Sequence, residues 1–363
     1  MAVAQRLRSL PEALKPERFE TPAILKKLVR ANRSLAELKG VAASIPNQAM
    51  LIGTLGLQEA KESSAIENIV TTQDELFRGD ASDSPGSAAA KEVRLYADAL
   101  QSGFDAVRRQ MLLTGNHILD IQGILEPGRA GYRKVIGTTL KDASGRVVYT
   151  PPSPDMLPNL MGDLERFIND DALFDADPLL KMALIHHQFE SIHPFYDGNG
   201  RTGRIINVLY LVKERLLDIP VLYLSRAIVR SKPDYYAKLQ AVRDRDAWED
   251  WVVYMLGAVD QTATEGITTI RGIKALLLEY KHRIRAKHRF YSQDLINNLF
   301  SYPYTKIEFI QRDLGVSRIT ATRYLDVVTQ DGLLRKRKSG RSNYYINEPL
   351  FRILTGESPP ADR

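Results

Sequence analysis

The sequence predicts a mostly α-helical protein, and three observations carry that expectation. Apolar residues recur at helical spacing along most of the 363 residues, only two stretches change to a β-like pattern, and the glycine- and proline-rich breaks between periodic runs are short. The composition, 44% hydrophobic and 26% charged, is that of an ordinary globular chain, and the length is enough for two or three domains. There is no cysteine, which removes disulfides, thiolate metal sites and cysteine nucleophiles from consideration. The N-terminus "MAVAQRLRSLPEALKPERFE" lacks the apolar core of a signal peptide, and no run approaches the roughly 18 apolar residues of a membrane span. A cytoplasmic protein with no membrane partner is therefore expected.

The elements follow in order. In "TPAILKKLVRANRSLAELKGVAA", Ile24, Leu25, Leu28, Leu35 and Leu38 fall near one helical face, and "SIPNQ" ends the run. A second helix is expected over "LGLQEAKESSAIENIV", followed by a polar linker in "RGDASDSPGSAAAK" and a helix from Ala88 to Leu113. β-branched residues around the turn signal "KDASG", closed by two prolines, predict a β-hairpin from Lys134 to Tyr149. Helical patterns resume in "MLPNLMGDLERFIND", "PLLKMALIHHQFESI", "RTGRIINVLYLVKERLL" and "PDYYAKLQAV", and a long segment with Trp248 and Trp251 runs to about Arg289. From Tyr291 to Leu354 the pattern is a helix, a tight turn through Gly315, a second helix and a basic hairpin around Ser339 and Gly340. Between Arg271 and Tyr345 there are sixteen Lys and Arg against six Asp and Glu, so the net charge of +6 is concentrated there.

The stretch "HPFYDGNGRTGR", His193 to Arg204, gathers the residues with chemistry. Pro194 disfavours helix at His193, so the helix before it should stop there, and the next should start near Arg201. Gly198 and Gly200 let consecutive amides turn inward at that start, which makes a phosphate cradle. Arg201 and Arg204, three apart, can reach one anion. Asp197 beside phosphates makes sense if it holds a cation such as Mg²⁺. His193, near its ordinary value of about 6.5, can accept a proton from a nucleophile. His187 and Glu190 share a helix face as a metal pair would, yet there is no HExxH pattern, so His187 is expected to be packed and Glu190 a local acceptor.

The stretch resembles the signature of the Fic family, His-Pro-Phe-x-Asp/Glu-Gly-Asn-Gly-Arg-x-x-Arg, at every specified position. The resemblance implies a Fic or Fido helical core. Its implied activity is transfer of AMP from ATP, with Mg²⁺, to a Ser, Thr or Tyr hydroxyl of a target protein or of the chain itself. It implies His193 as general base and Asp197 as metal carrier. It also places Gly198, Asn199, Gly200, Arg201, Thr202, Gly203 and Arg204 around the nucleotide phosphates.

Further features fit that family. "SSAIEN", Ser63 to Asn68, resembles its inhibitory motif, which implies that Ser63, Glu67 and Asn68 restrain the enzyme by pairing Glu67 with Arg204; in some relatives such a glutamate directs a water that removes AMP instead. The hairpin corresponds in position to the family's flap, with Val135, Ile136, Gly137 and Thr138 assigned to the ligand. Tyr235 and Tyr236 resemble tandem tyrosines beside the adenine, although Arg243 stands where some relatives carry asparagine. The last part resembles a winged helix whose recognition helix, Ser317 to Thr329, carries Arg318, Thr320, Thr322 and Arg323, with Arg335, Lys336, Arg337, Lys338 and Arg341 on the wing. Such a module serves DNA binding or protein docking. The expected division is residues 1–85 as an inhibitory helical region, 86–290 as the catalytic core and 291–363 as the winged helix, in a homodimer. The alternatives are a DNA-binding regulator with a Fic-type sensor core, or transfer of another phosphate-containing group.

Overall fold

The computed structural model describes residues 14–79, 87–141, 144–339 and 342–357. Half of the polar linker, the turn residues Asp142 and Ala143, and Gly340 and Arg341 of the expected wing lie outside those residues. The N-terminal part supplies α1 (Pro22–Ala43), α2 (Gln48–Ile66), α3 (Gln73–Gly79), α4 (Ala88–Gln110) and α5 (Gly115–Leu125). A small hairpin, β1 (Leu140–Lys141) with β2 (Val147–Tyr149), precedes α6 (Leu157–Asn169), α7 (Pro178–Ile192), α8 (Asn199–Lys213), α9 (Leu224–Arg230), α10 (Lys232–Arg245) and the 40-residue α11 (Trp248–Lys287). The last unit is α12 (Gln293–Ser301), β3 (Tyr304–Thr305), α13 (Ile307–Leu314), α14 (Arg318–Gln330), β4 (Arg335–Ser339), β5 (Ser342–Ile346) and α15 (Glu348–Thr355).

Local chemistry sets the boundaries. Thr21, Ser87 and Asp177 cap α1, α4 and α7 by accepting amide protons of the first turn, and α1 and α7 open on proline. α7 and α8 are buried almost all round, from Leu179 to Ile192 and from Arg201 to Val212, so they form the centre and the other helices wrap them. α1 lies along α11, where Gly266 admits the Leu38 side chain.

Four expectations are corrected. α2 starts at Gln48, ahead of Leu55 where the sequence pattern begins it, and Leu25 of α1 is 47% exposed. α5 was not expected; its signal is the reciprocal cap between Thr114 and His117. The hairpin is shorter than Lys134 to Tyr149: its first arm is a turn, with Gly137 at φ +86°, a backbone region that interrupts a strand. The residues just before it pair with the loop after α7. Tyr132 bridges Phe195, and the Arg133 amide donates to the Pro194 carbonyl at 2.9 Å.

The C-terminal unit is a winged helix, with α13 and α14 joined through Gly315 at φ +64° and strand order β3-β5-β4. It packs on the N-terminal helices as well as on α11. The Tyr304 hydroxyl donates to Asp74 of α3 at 2.6 Å, and Phe77 forms a ring cluster with Tyr304 and Phe351. The basic wing is less free than its sequence implies. Arg335 pairs with Glu348 at 2.8 Å, Lys336 with Asp326 at 2.8 Å and Arg337 with Asp74 at 3.6 Å. Strand alternation turns Arg335 and Arg337 inward, where they meet these acids.

Candidate active site

α7 and α8 meet at the site through the loop His193 to Gly198. His193 ends α7 in the left-handed conformation, φ 49° and ψ 59°, and Pro194 follows it. The loop is stapled by Asn199, whose side chain accepts from the Phe195 amide and donates to the Phe195 carbonyl, both at 2.9 Å. Its side chain is thus used within the loop rather than facing a ligand. Gly198 caps α8 at φ 75°, so this helix begins at Asn199, ahead of the expected Arg201. The first amides of a helix have no intrahelical acceptor, and here they open onto the loop as an anion cradle.

Arg201 and Arg204 of α8 are 2% and 1% exposed. Glu67, at the C-terminal cap of α2, occupies both. Its Oε2 accepts from Arg201 Nε at 2.8 Å and its Oε1 from Arg204 Nη2 at 2.8 Å. The sequence pairs it with Arg204 alone. Ser63, one turn earlier, accepts from Arg204 through its hydroxyl at 2.7 Å and its carbonyl at 3.0 Å. Asn68 has φ 65°, which asparagine and glycine tolerate, and its side chain accepts from Lys232 at 3.0 Å. Gly200 faces this pairing closely: a Cβ there would lie 2.6 Å from Glu67 Oε1.

Two acids not expected from the sequence, Glu126 and Glu92, also hold Arg201, at 2.6 and 3.3 Å. With Glu67, Asp197 and Arg201 they line a cavity of about 520 Å³ that extends the cradle toward α4. No sequence signal singles them out, because an isolated helix or loop glutamate reads as solvated surface. Asp197 is half exposed; its Oδ1 accepts the Gly198 amide at 2.8 Å, and Arg201 Nη2 lies 3.7 Å away. Among the described residues no group of three or more ligating side chains could hold a metal by itself. A single half-exposed carboxylate beside an anion cradle nevertheless fits Mg²⁺, which takes its remaining oxygens from phosphates and water.

Electrostatics correct one expectation. Burial first, then the nearby Arg243 and Arg133, push His193 down to about 4 rather than leaving it near 6.5. It is therefore neutral at neutral pH. His186 and His187 pack against Trp251 and Trp248, and burial depresses both, His186 to about 3. Glu190 is buried and pushed up to about 7 chiefly by that burial, against the pull of Arg204.

The expected ligand contacts outside the loop divide. Tyr235 is 2% exposed and its hydroxyl meets His186 Nε2 at 2.9 Å, so it is a core residue and not a stacking face. Tyr236 beside it is 46% exposed and remains able to stack. Val135 and Ile136 are 60% and 82% exposed, with Gly137 and Thr138 completing their turn. Thr202 and Gly203 are buried on the core side of α8, Gly203 against Glu190 and Phe189, away from the cradle.

A helical fold in which a glycine-opened helix and two buried arginines form an anion cradle, closed by a glutamate from a neighbouring helix, defines a Fic-type protein. The comparisons agree: the chain carries Fic/DOC family N-terminal and Fic/DOC family domains, followed by a SoFic-like C-terminal domain. Residues 25–105 match the Fic/DOC family N-terminal model, 112–211 the Fic/DOC family model, and 276–350 the model named Protein adenylyltransferase SoFic-like, C-terminal domain. Protein adenylyltransferase fic-1 of Caenorhabditis elegans is 30% identical over 161 residues, 41% of this chain and 29% of that protein. A probable protein adenylyltransferase of Aquifex aeolicus is 38% identical over 71 residues, 20% of this chain and 22% of that protein. The chain thus spans under a third of the length of these curated relatives. A solved Fic family protein from Desulfovibrio desulfuricans has the same fold, with a TM-score of 0.59 at 22% identity over 92% of this chain and 98% of that one. Fic-1 of C. elegans gives a TM-score of 0.52 at 22% identity over 68% of this chain and 73% of that one.

Proposed function

We propose that this chain transfers AMP from ATP to a hydroxyl of a target protein, and that Glu67 restrains it. The observation that carries the reading is that one carboxylate fills the space between two buried arginines at the start of α8, where a polyphosphate would need both. In this reading residues 1–85 restrain, 86–290 catalyse and 291–363 form an appended module.

The chemistry follows from the residues. With Glu67 displaced, the α8 amides, Arg204 and the Nε edge of Arg201 take the phosphates, while Arg201 Nη2 keeps Glu126 as a brace. Asp197 would hold Mg²⁺, which supplies charge neutralisation for the departing pyrophosphate. The target hydroxyl oxygen bonds to the α-phosphorus, the bond from that phosphorus to pyrophosphate breaks, and neutral His193 receives the hydroxyl proton. Buried cations stabilise the charge that develops on the phosphate oxygens. Tyr236 offers a ring face for adenine. The exposed turn Val135 to Thr138 and the hairpin offer backbone to a target segment.

A second capacity, DNA contact, is favoured by the outward face of α14, where Arg318, Ile319 and Arg323 are exposed and Ile319 is 83% so. Cations beside an apolar tip suit a groove with thymine methyls and phosphates.

The test uses ATP labelled at the α- or the γ-phosphate with the full chain, Glu67→Gly and His193→Ala. α-Label should appear on protein, the chain itself included, rise in Glu67→Gly and vanish in His193→Ala. Transfer of γ-label alone would sink the reading.

A further inference from the structure

The left-handed turn at His193 is unfavourable for a non-glycine residue and persists only where its surroundings hold it. Two arginines outside the glycine-rich stretch do the holding. Arg243 of α10 donates from Nη2 to the Glu190 carbonyl at 3.1 Å and from Nε to Ser191 Oγ at 3.0 Å. Its guanidinium lies 4.0 Å over the ring of Tyr149 in β2, and the Tyr149 hydroxyl donates to the Ser191 carbonyl at 2.9 Å. Arg133 donates from Nε to the His193 carbonyl at 2.8 Å and from Nη2 to the Pro152 carbonyl. The last carbonyls of α7, which a helix leaves without intrahelical partners, are thus taken by groups that belong to the hairpin stem or stack on it. Arg133 enters the stem, and Tyr149 and Pro152 leave it.

We propose that Arg243 and Arg133 are positioning residues for His193: they bolt the end of α7 to both ends of the hairpin segment, so that a target strand seated on the hairpin also sets the aim of the base. This rests on the AMP-transfer reading for its kinetic consequence, and it assigns Arg243 away from the adenine, where its place in the sequence puts it in some relatives. The charged groups that face His193 are Arg243 from α10, Arg133 from the hairpin stem and Asp197 from its own loop. Among them the two arginines disfavour its protonation.

The experiment places Arg243→Gln, Arg243→Lys and Tyr149→Phe in the full-length Glu67→Gly chain, and reads α-label transfer together with the NMR titration of the His193 ring, assigned through His193→Ala. Arg243→Gln should lower the rate at saturating ATP by about 10- to 100-fold with the KM for ATP changed less than about twofold, the signature of a misaimed base. Tyr149→Phe, which loses one hydrogen bond and keeps the ring under the guanidinium, should fall between parent and Arg243→Gln. In the titration, Arg243→Gln should move His193 up by about 0.5–1 pH unit, and Arg243→Lys should return the titration without returning the rate, since an ammonium cannot make both bonds of the fork. A raised KM for ATP at unchanged rate would make Arg243 a nucleotide contact and overturn the proposal. If the Glu67→Gly parent transfers no α-label, the AMP reading has failed, and an unmoved His193 titration in Arg243→Gln then overturns this proposal on its own. Should Arg243→Gln fail to fold, Tyr149→Phe decides: a rate equal to the parent's overturns it.

Discussion

Glu67 stands between Arg201 and Arg204 with one carboxylate oxygen 2.8 Å from each. A single side chain on α2 therefore closes both arms of the cradle. Glu67→Gly should unlock them: the ATP-free protein loses about 3 kcal/mol of stability, because two buried guanidinium groups lose a partner. Added ATP should then raise its melting temperature more than it raises the wild type's. Calorimetry with and without ATP checks this, and equal ATP shifts in the two proteins would show that Glu67 does not compete with the nucleotide.

Gly200 and Glu67 should be energetically coupled. A methyl group at position 200 would sit 2.6 Å from Glu67 Oε1 and 2.8 Å from Arg204 Nη1, so Gly200→Ala must push one of them aside. Its cost should shrink by about 1 kcal/mol or more when Glu67 is already replaced by glycine. A double-mutant cycle in urea measures the coupling; additive costs would mean that the added methyl is accommodated without moving Glu67.

His193 should set an acid limb well below the ordinary histidine value. Burial first, then Arg243 and Arg133, hold it near 4 in the folded chain. The base is neutral above that value, so kcat/KM of the Glu67→Gly variant should stay level as pH falls through about 6.5 and drop only toward 4. A half-maximal point near 6.5 would show the imidazole to be solvated.

Glu59 of α2 is buried and accepts from the Ser225 amide at 3.1 Å, from the Ser225 hydroxyl, and from Tyr96 at 3.3 Å. Burial raises its carboxyl from 4.5 to about 7 against those bonds and against Arg204. The folded state then binds the proton more tightly than the unfolded one, so this group's contribution to stability is complete below pH 4.5 and is lost as pH rises through 7. Glu59→Gln stays neutral and should gain on the wild type by up to roughly 3 kcal/mol between about pH 5 and pH 8. Chemical denaturation at both values gives the result; the same offset at each would exclude a raised Glu59.

DNA contact should depend on α14 more than on the inner wing. In a gel-shift salt series with the full chain, Arg318→Ala and Arg323→Ala should weaken binding and flatten its salt dependence, each by about one phosphate contact. Arg337→Ala should change it little, since Arg337 is turned inward onto Asp74, whereas the pair of Arg318 with Glu308 is open to water. No retardation at low salt removes the reading.

The sequence carried most of the fold and the chemical core of the site. Helical periodicity, the break at Pro194 and the glycines at 198 and 200 are local causes with local effects, so they can be read along the chain. The pairing of Glu67 with Arg204 was legible only through the resemblance of Ser63 to Asn68 to the family's inhibitory motif. Its second bond, to Arg201, was not: it depends on where the end of α2 lands against α8, which packing decides. The same holds for Glu126 and Glu92, ordinary glutamates in sequence that packing brings onto Arg201, and for Glu59, which burial against Ser225 and Tyr96 turns into a raised carboxyl.

By itself, then, the sequence determined a mostly helical chain and its glycine-opened cradle, which rest on backbone preferences and short-range spacing, and its resemblance to the Fic family singled out Glu67. Only the tertiary structure decided that His193 is half-buried and neutral, that Tyr235 is core while Tyr236 is exposed, that the wing's inner arginines hold internal acids, and that Arg243 lies over Tyr149. The reason is physical: desolvation and the choice among charge partners depend on which elements, far apart in the chain, are brought into contact.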